Sequence, residues 1–151
     1  MKHEEVRLLL ERLGALWRRQ RRERVPVAGL SQSAVRLLAA VNRLGGATRP
    51  ARPTQPARLA DETQMTSSNV AATLRELEAA GLVARDRDES DARRVNVSLT
   101  PAGADLVARN RGLREAWLAA AIDDLLTERE QRVLAEASDL LGRLAAYEPP
   151  R

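Results

Sequence analysis

Apolar positions recur along this chain in two rhythms. From Lys2 to Arg24, Val6, Leu9, Leu10, Leu13, Leu16 and Trp17 repeat every three or four residues, which is the spacing of one helical face. Pro26 is expected to end that helix. Val35, Leu38, Ala39 and Val41 resume the helical spacing after Ser31, a candidate N-cap, and Gly45-Gly46 should stop it. The segment from Gly45 to Pro56 holds three prolines and two glycines and reads as a loop. A short helix should begin at Pro56, with Leu59, Ala60 and Thr63 on one side and Met65 filling the turn that follows. Val70, Leu74 and Leu77 predict another helix, capped by Thr66 and closed by Gly81. Here the rhythm changes. Leu82, Val83 and Ala84 read as a strand, and Val95, Val97 and Leu99 alternate with Asn96 and Ser98, the period of a half-buried strand. Thr100-Pro101 then opens a long helix through Leu106, Val107, Leu113, Trp117, Leu118, Ile122 and Leu125. Thr127 and Glu130 form a capping box before a last helix with Val133, Leu134, Ala137, Leu140, Leu141, Leu144 and Tyr147 on one face.

This order predicts a mainly α fold: a winged helix-turn-helix with a two-stranded β wing, plus N- and C-terminal helices forming a dimerisation bundle. The length of 151 residues suits a single domain. Within it, residues 31–100 would be the winged helix-turn-helix, and residues 1–30 and 101–151 the helical dimerisation part. An amphipathic helix needs a partner for its apolar stripe. The terminal stripes exceed what a winged helix can cover, so they are expected to interlock with a second copy. Obligate interfaces of that kind commonly bury about 2,000 Å² or more.

The stretch from Leu59 to Leu99 carries the candidate chemistry. In a helix-turn-helix the second helix lies in the DNA major groove, and its N-terminal residues meet base edges. Here that helix presents Ser67, Ser68, Asn69, Ala72, Thr73 and Arg75 on the face expected opposite Val70, Leu74 and Leu77, and its N-cap Thr66 joins them as a candidate DNA contact. Asn can bond adenine in bidentate fashion, and Ser and Thr adapt to several edges. The same Ser and Asn residues would equally suit plain capping and solvated surface. Between the two strands lies Arg85-Asp86-Arg87-Asp88-Glu89-Ser90-Asp91-Ala92-Arg93-Arg94, with no apolar side chain longer than alanine. This reads as an exposed hairpin tip. Arginine at such a tip can enter a narrow minor groove, and Asp91 could hold Arg93 through a forked ion pair.

With these residues in view, the chain resembles the MarR-type winged-helix transcriptional regulators. The carriers are Leu59-Ala60, Val70, Leu74, Leu77-Glu78, Gly81-Leu82-Val83, Arg85, Asp91-x-Arg93 and Leu99-Thr100-Pro101-x-Gly103. The resemblance implies a homodimer that binds double-stranded DNA at a pseudo-palindromic promoter site, usually as a repressor released by a small-molecule effector. It implies that Arg93 reaches the minor groove, braced by Asp91. It also implies that Ser31 and Ser33 face the DNA backbone at a helix N-terminus, where N–H groups and the dipole suit phosphate. Plain capping is the competing reading of Ser31. Arg75, Arg87 and Arg94 complete the candidate DNA-contacting set. Many relatives carry a basic residue at the position of Ala72, so base readout here would lean on short polar side chains and the wing. Effectors in the family usually sit between the helical part and the winged helix. Trp17 and Trp117 are the large flat surfaces that could anchor one there, with ordinary helix packing as the alternative.

Composition narrows the function classes. The chain is 44% hydrophobic, only 2% aromatic and lacks cysteine, which removes disulfides and thiolate metal sites. His3 is the single histidine. No nucleophile with a base, no paired catalytic carboxylates and no phosphate-cradling glycine loop is visible, and Asp123-Asp124 diverge on a helix. An enzyme, a cofactor and a metal centre are therefore not expected. The net charge is +4, and 24 of the 25 basic residues are arginine. Residues 49–94 hold eight basic and eight acidic side chains, so charge alone does not mark them as a polyanion site. Arg18 to Arg24 form a basic run that reads as a solvated helix end or as a phosphate-steering patch. No apolar run is long enough to span a membrane and the start lacks a secretory pattern, so the cytoplasm is expected. The rival function is a helical dimeric protein-interaction module that uses its winged helix for protein contact.

Overall fold

The computed structural model describes residues 1–23, 29–45, 53–87 and 95–148. Among them run α1 (His3–Gln20), α2 (Gln32–Gly45), α3 (Pro56–Thr63), α4 (Ser67–Ala79), β1 (Val83–Arg87), β2 (Val95–Leu99), α5 (Pro101–Leu125) and α6 (Glu128–Ala145). The chain divides into two compact units. One comprises residues 25–112, the other residues 1–24 and 113–151.

The first unit holds the core. Leu37, Leu38 and Val41 of α2, Leu59 of α3, and Val70, Leu74 and Leu77 of α4 are buried together. Leu82, Val83, Val97 and Leu106 close the cluster from the wing and the start of α5. Burying one such side chain is worth about 1.5–3 kcal/mol, so this set fixes how α2, α3 and α4 lie against one another. Met65, in the turn after α3, packs on its edge as the sequence suggests.

Local chemistry sets each boundary. α3 ends on Gln64, which adopts a left-handed conformation at φ +55°. Ala80 caps α4, and Gly81 takes φ +69°, where an L side chain would be strained. The Gly81 N–H then donates to Glu78 O at 2.9 Å, and the Leu82 N–H to Leu77 O at 2.9 Å. Those two bonds are a complete Schellman closure. The turn feeds straight into β1, which pairs antiparallel with β2 in the register Val83↔Leu99 through Arg87↔Val95.

Three features depart from the sequence expectation. α1 ends at Gln20, with Arg21 as its cap, rather than running to Arg24. Thr54, inside the stretch read as a loop, makes an antiparallel bridge to Val97 through bonds of 2.8 and 2.7 Å. A period-two reading of one strand cannot show that its outer edge is covered by a residue so far back in the chain. In β2 only Val97 is fully buried; Val95 is exposed.

Thr100 joins β2 to α5. Its hydroxyl donates to Gly81 O at 2.6 Å and accepts from the Gly103 N–H at 3.0 Å, while its own N–H donates to Leu82 O at 3.1 Å. The helix start thus rests against the α4 closure. A Cβ added at Gly103 would lie 2.0 Å from Leu82 O, which accounts for the glycine there.

In the second unit the apolar stripes of α1 and α6 face outward. Leu10 is 65% exposed, Leu140 55% and Leu144 65%. Thr127 caps α6: its Oγ1 accepts from the Glu130 N–H, and the Glu130 carboxylate accepts from the Thr127 N–H at 2.9 Å. No helix among the described residues is long and apolar enough to cross a membrane.

Candidate nucleic-acid interface

The site grows from α4. Its buried stripe of Val70, Leu74 and Leu77 fastens one side of the helix to the core. The opposite side of its first turns is open: Ser67, Ser68, Asn69, Ala72 and Arg75 are exposed, as is the N-cap Thr66. Thr66 Oγ1 accepts from the Asn69 N–H at 3.3 Å and lies 3.1 Å from Ser68 Oγ. The hydroxyls of Thr66 and Ser68 are therefore engaged locally.

Thr73 requires a correction. The sequence reading places it on the open face, whereas the structure buries it to 6% exposure. Helical geometry explains this, since Thr73 follows Val70 by three residues and precedes Leu77 by four. It belongs to the inward stripe, as a threonine among aliphatic side chains.

Polar clamps hold α4 from several directions, and the sequence reading assigned no role to them. Arg36 of α2 donates from Nη2 to Thr63 O at 2.8 Å, tying the turn between α3 and α4. Glu78 of α4 accepts from Nε and Nη2 of Arg85 in β1, which couples the helix to the wing. Glu76 of α4 accepts from the Ser31 N–H and, at 2.8 Å, from Ser31 Oγ. Glu78 and Arg85 were visible as pattern residues, but their pairing across a strand and a helix end has no signature in sequence spacing.

Ser31 is the N-cap the sequence suggests, with its Oγ accepting from the Ala34 N–H at 3.1 Å. However, the N-terminus of α2 already holds the Glu76 carboxylate, the charge a helix start attracts. Ser33 is half-buried in the first turn. Arg87 is exposed at the far end of β1, opposite Val95. Asp91, Arg93 and Arg94, with Arg49 and Arg52 of the earlier loop, lie outside the described residues.

The two tryptophans differ in setting. Trp17 on α1 is 59% exposed. Trp117 on α5 is half-buried, and the Arg19 guanidinium sits 4.7 Å from its ring centroid, an attractive cation–π geometry. Arg19 also pairs with Glu23. One member of the basic run is thus engaged within its own unit.

Comparison with known proteins places this arrangement. A model of the MarR family matches residues 28–94, the span from α2 to the wing. A Pseudomonas aeruginosa PA01 protein assigned as a transcriptional regulator is 38% identical, covering 98% of this chain and 100% of that one, with a TM-score of 0.79. A transcriptional regulator from Thermotoga maritima shares the fold at 20% identity, over 99% of this chain and 100% of that one, with a TM-score of 0.72. A variant of Staphylococcus aureus MepR, bound to an oligodeoxyribonucleotide, shares it at 18% identity over 95% and 99%, with a TM-score of 0.63. No curated protein matches the chain. The six helices, the hairpin after α4 and the full-length likeness to the Pseudomonas protein agree, and the chain belongs to the MarR family, with that family's transcriptional-regulator fold.

Proposed function

We propose that this chain is a cytoplasmic, non-enzymatic homodimer that binds double-stranded DNA sequence-specifically at a pseudo-palindromic promoter site. It acts there as a repressor released by a small-molecule effector. The observation that carries the reading is the two-sided character of α4. Its back is sealed into the core by Val70, Leu74 and Leu77, while Ser67, Ser68 and Asn69 stand open at its N-terminal end. That is the end which meets base edges in a helix-turn-helix.

Other features support the separate parts of the proposal. The open leucines of α1 and α6 suit burial against a second copy. The hairpin after α4 connects through residues 88–94, where Arg93, braced by Asp91, would enter the minor groove, and Arg87 and Arg94 would flank it. Ser31 and Ser33 would contribute through the α2 N-terminus that Glu76 shares. Trp17, open on one helix, is the better-placed anchor for an aromatic effector, because Arg19 covers a face of Trp117. The oligonucleotide captured by the MepR variant shows that this fold is compatible with DNA binding in that protein.

Salt dependence tests the reading. Affinity for duplexes from a random pool should fall steeply with salt, with a log–log slope near −0.9 for each phosphate neutralised. A protein-interaction module held by apolar contact would show no duplex binding, or none that responds to salt.

A further inference from the structure

Resting on that DNA-binding reading, we propose that Asn69 and Ala72 together read an adenine–thymine step in each half-site. Asn69 bonds the major-groove edge of adenine, and the Ala72 methyl packs on the C5 methyl of a thymine one or two base pairs away. The assignment follows from which groups on α4 are still free. Thr66 and Ser68 turn their hydroxyls to each other, Thr73 is buried, and Glu76 is held by Ser31, which leaves Ser67, Asn69 and Arg75 as the open polar side chains. A serine hydroxyl suits several base edges and an arginine suits guanine or phosphate, whereas the amide of Asn69 matches adenine. Asn69 gives its backbone N–H to the cap, but its side-chain amide makes no hydrogen bond among the described residues. It is exposed, and it carries the donor and acceptor pair that matches adenine N7 and N6.

Ala72 lies three residues on, along the same face, and is also exposed. Residues three apart on a helix are about 5–6 Å from each other, and successive bases on a strand are 3.4 Å apart. The pair therefore spans one to two base steps. At the position of Ala72 a long basic side chain would reach outward to phosphate or guanine. A methyl group can do neither, and its favourable partner in the major groove is the thymine methyl. The next residue along this stripe is Glu76. Its carboxylate could have accepted from cytosine N4, but its bond to Ser31 of α2 takes it out of contention.

Base analogues that each delete one group test this directly. A duplex selected from a random pool is scanned with 7-deazaadenine, which lacks the N7 acceptor, and with deoxyuridine, which lacks the thymine methyl. Affinities are read as analogue-to-parent ratios for wild type, Asn69→Ala and Ala72→Gly. A ratio for one protein is independent of how much of that variant folds. Wild type should lose about 5- to 150-fold at one adenine per half-site, and about fourfold at a neighbouring thymine, the worth of one buried methyl group. Asn69→Ala should lose the adenine response and keep the thymine response, and Ala72→Gly the reverse. Variants that retain the responses they should lose overturn the assignment. So does a wild type indifferent to both analogues at every position, which leaves duplex binding itself standing. If no duplex is retained from the pool, the DNA-binding reading falls with it.

Discussion

At Gly103 the backbone of α5 passes so close to the α4 closure that a single methyl group would strike Leu82 O. Both partners are backbone atoms, so neither can swing aside. Gly103→Ala is expected to destabilise the winged unit by about 3 kcal/mol, at the upper end of ordinary overpacking. Gly112 lies on the same helix with nothing near its missing Cβ. Gly112→Ala should therefore stabilise by up to about 1 kcal/mol. Thermal melts of the two variants check the contrast, and equal effects would contradict it. Glu130 offers a second test at this scale. The Thr127 N–H, and then the Thr127 hydroxyl, hold its carboxyl below the ordinary glutamate range. Because the folded value is the lower one, the capping box contributes fully above the ordinary value. That contribution fades as pH falls through the folded value. Thr127→Ala keeps the backbone donor and loses the hydroxyl, so the Glu130 titration followed by NMR should move part of the way back up. An unmoved titration would deny the hydroxyl any share.

At the scale of elements, α4 is the part that everything else orients. Arg85 and Glu78 are both partly exposed, so their ion pair adds less than about 1 kcal/mol to stability. Its larger effect is to set the wing relative to the helix. Arg85→Met should barely change the melting temperature, yet weaken binding to a selected duplex by about tenfold, the scale of one lost base contact. Unchanged binding would mean that the pair does not steer the wing. α4 is only partly legible in the sequence. Its ends could be read because caps are local: Thr66 before the first turn and Gly81 after the last act on their immediate neighbours. Its inner face was mostly legible from the spacing of Val70, Leu74 and Leu77. Thr73 looks outward by its hydroxyl but lies inward by its helical angle, and the angle decides. The contacts of Glu76 with Ser31, of Arg36 with Thr63 and of Thr54 with Val97 were not legible at all. Each joins residues dozens of positions apart, and nothing in local spacing encodes such a meeting.

For the whole molecule, the balance of apolar surface carries the argument. The unit of residues 25–112 packs its leucines into or against one core, whereas the other leaves Leu10, Leu140 and Leu144 exposed. A second copy covering them would give the assembly a two-fold axis and therefore two copies of α4. Two recognition helices related in that way read half-sites about one turn of DNA, or 34 Å, apart. Under the proposed function their spacing is also what an effector would have to change, since a ligand shifts an equilibrium only by favouring one state over another. Sequencing the duplexes that the protein retains from a random pool tests this most directly. The account predicts an inverted repeat with half-site centres about 10 base pairs apart. A pool without enrichment, or one enriched in a single unrepeated motif, would contradict it.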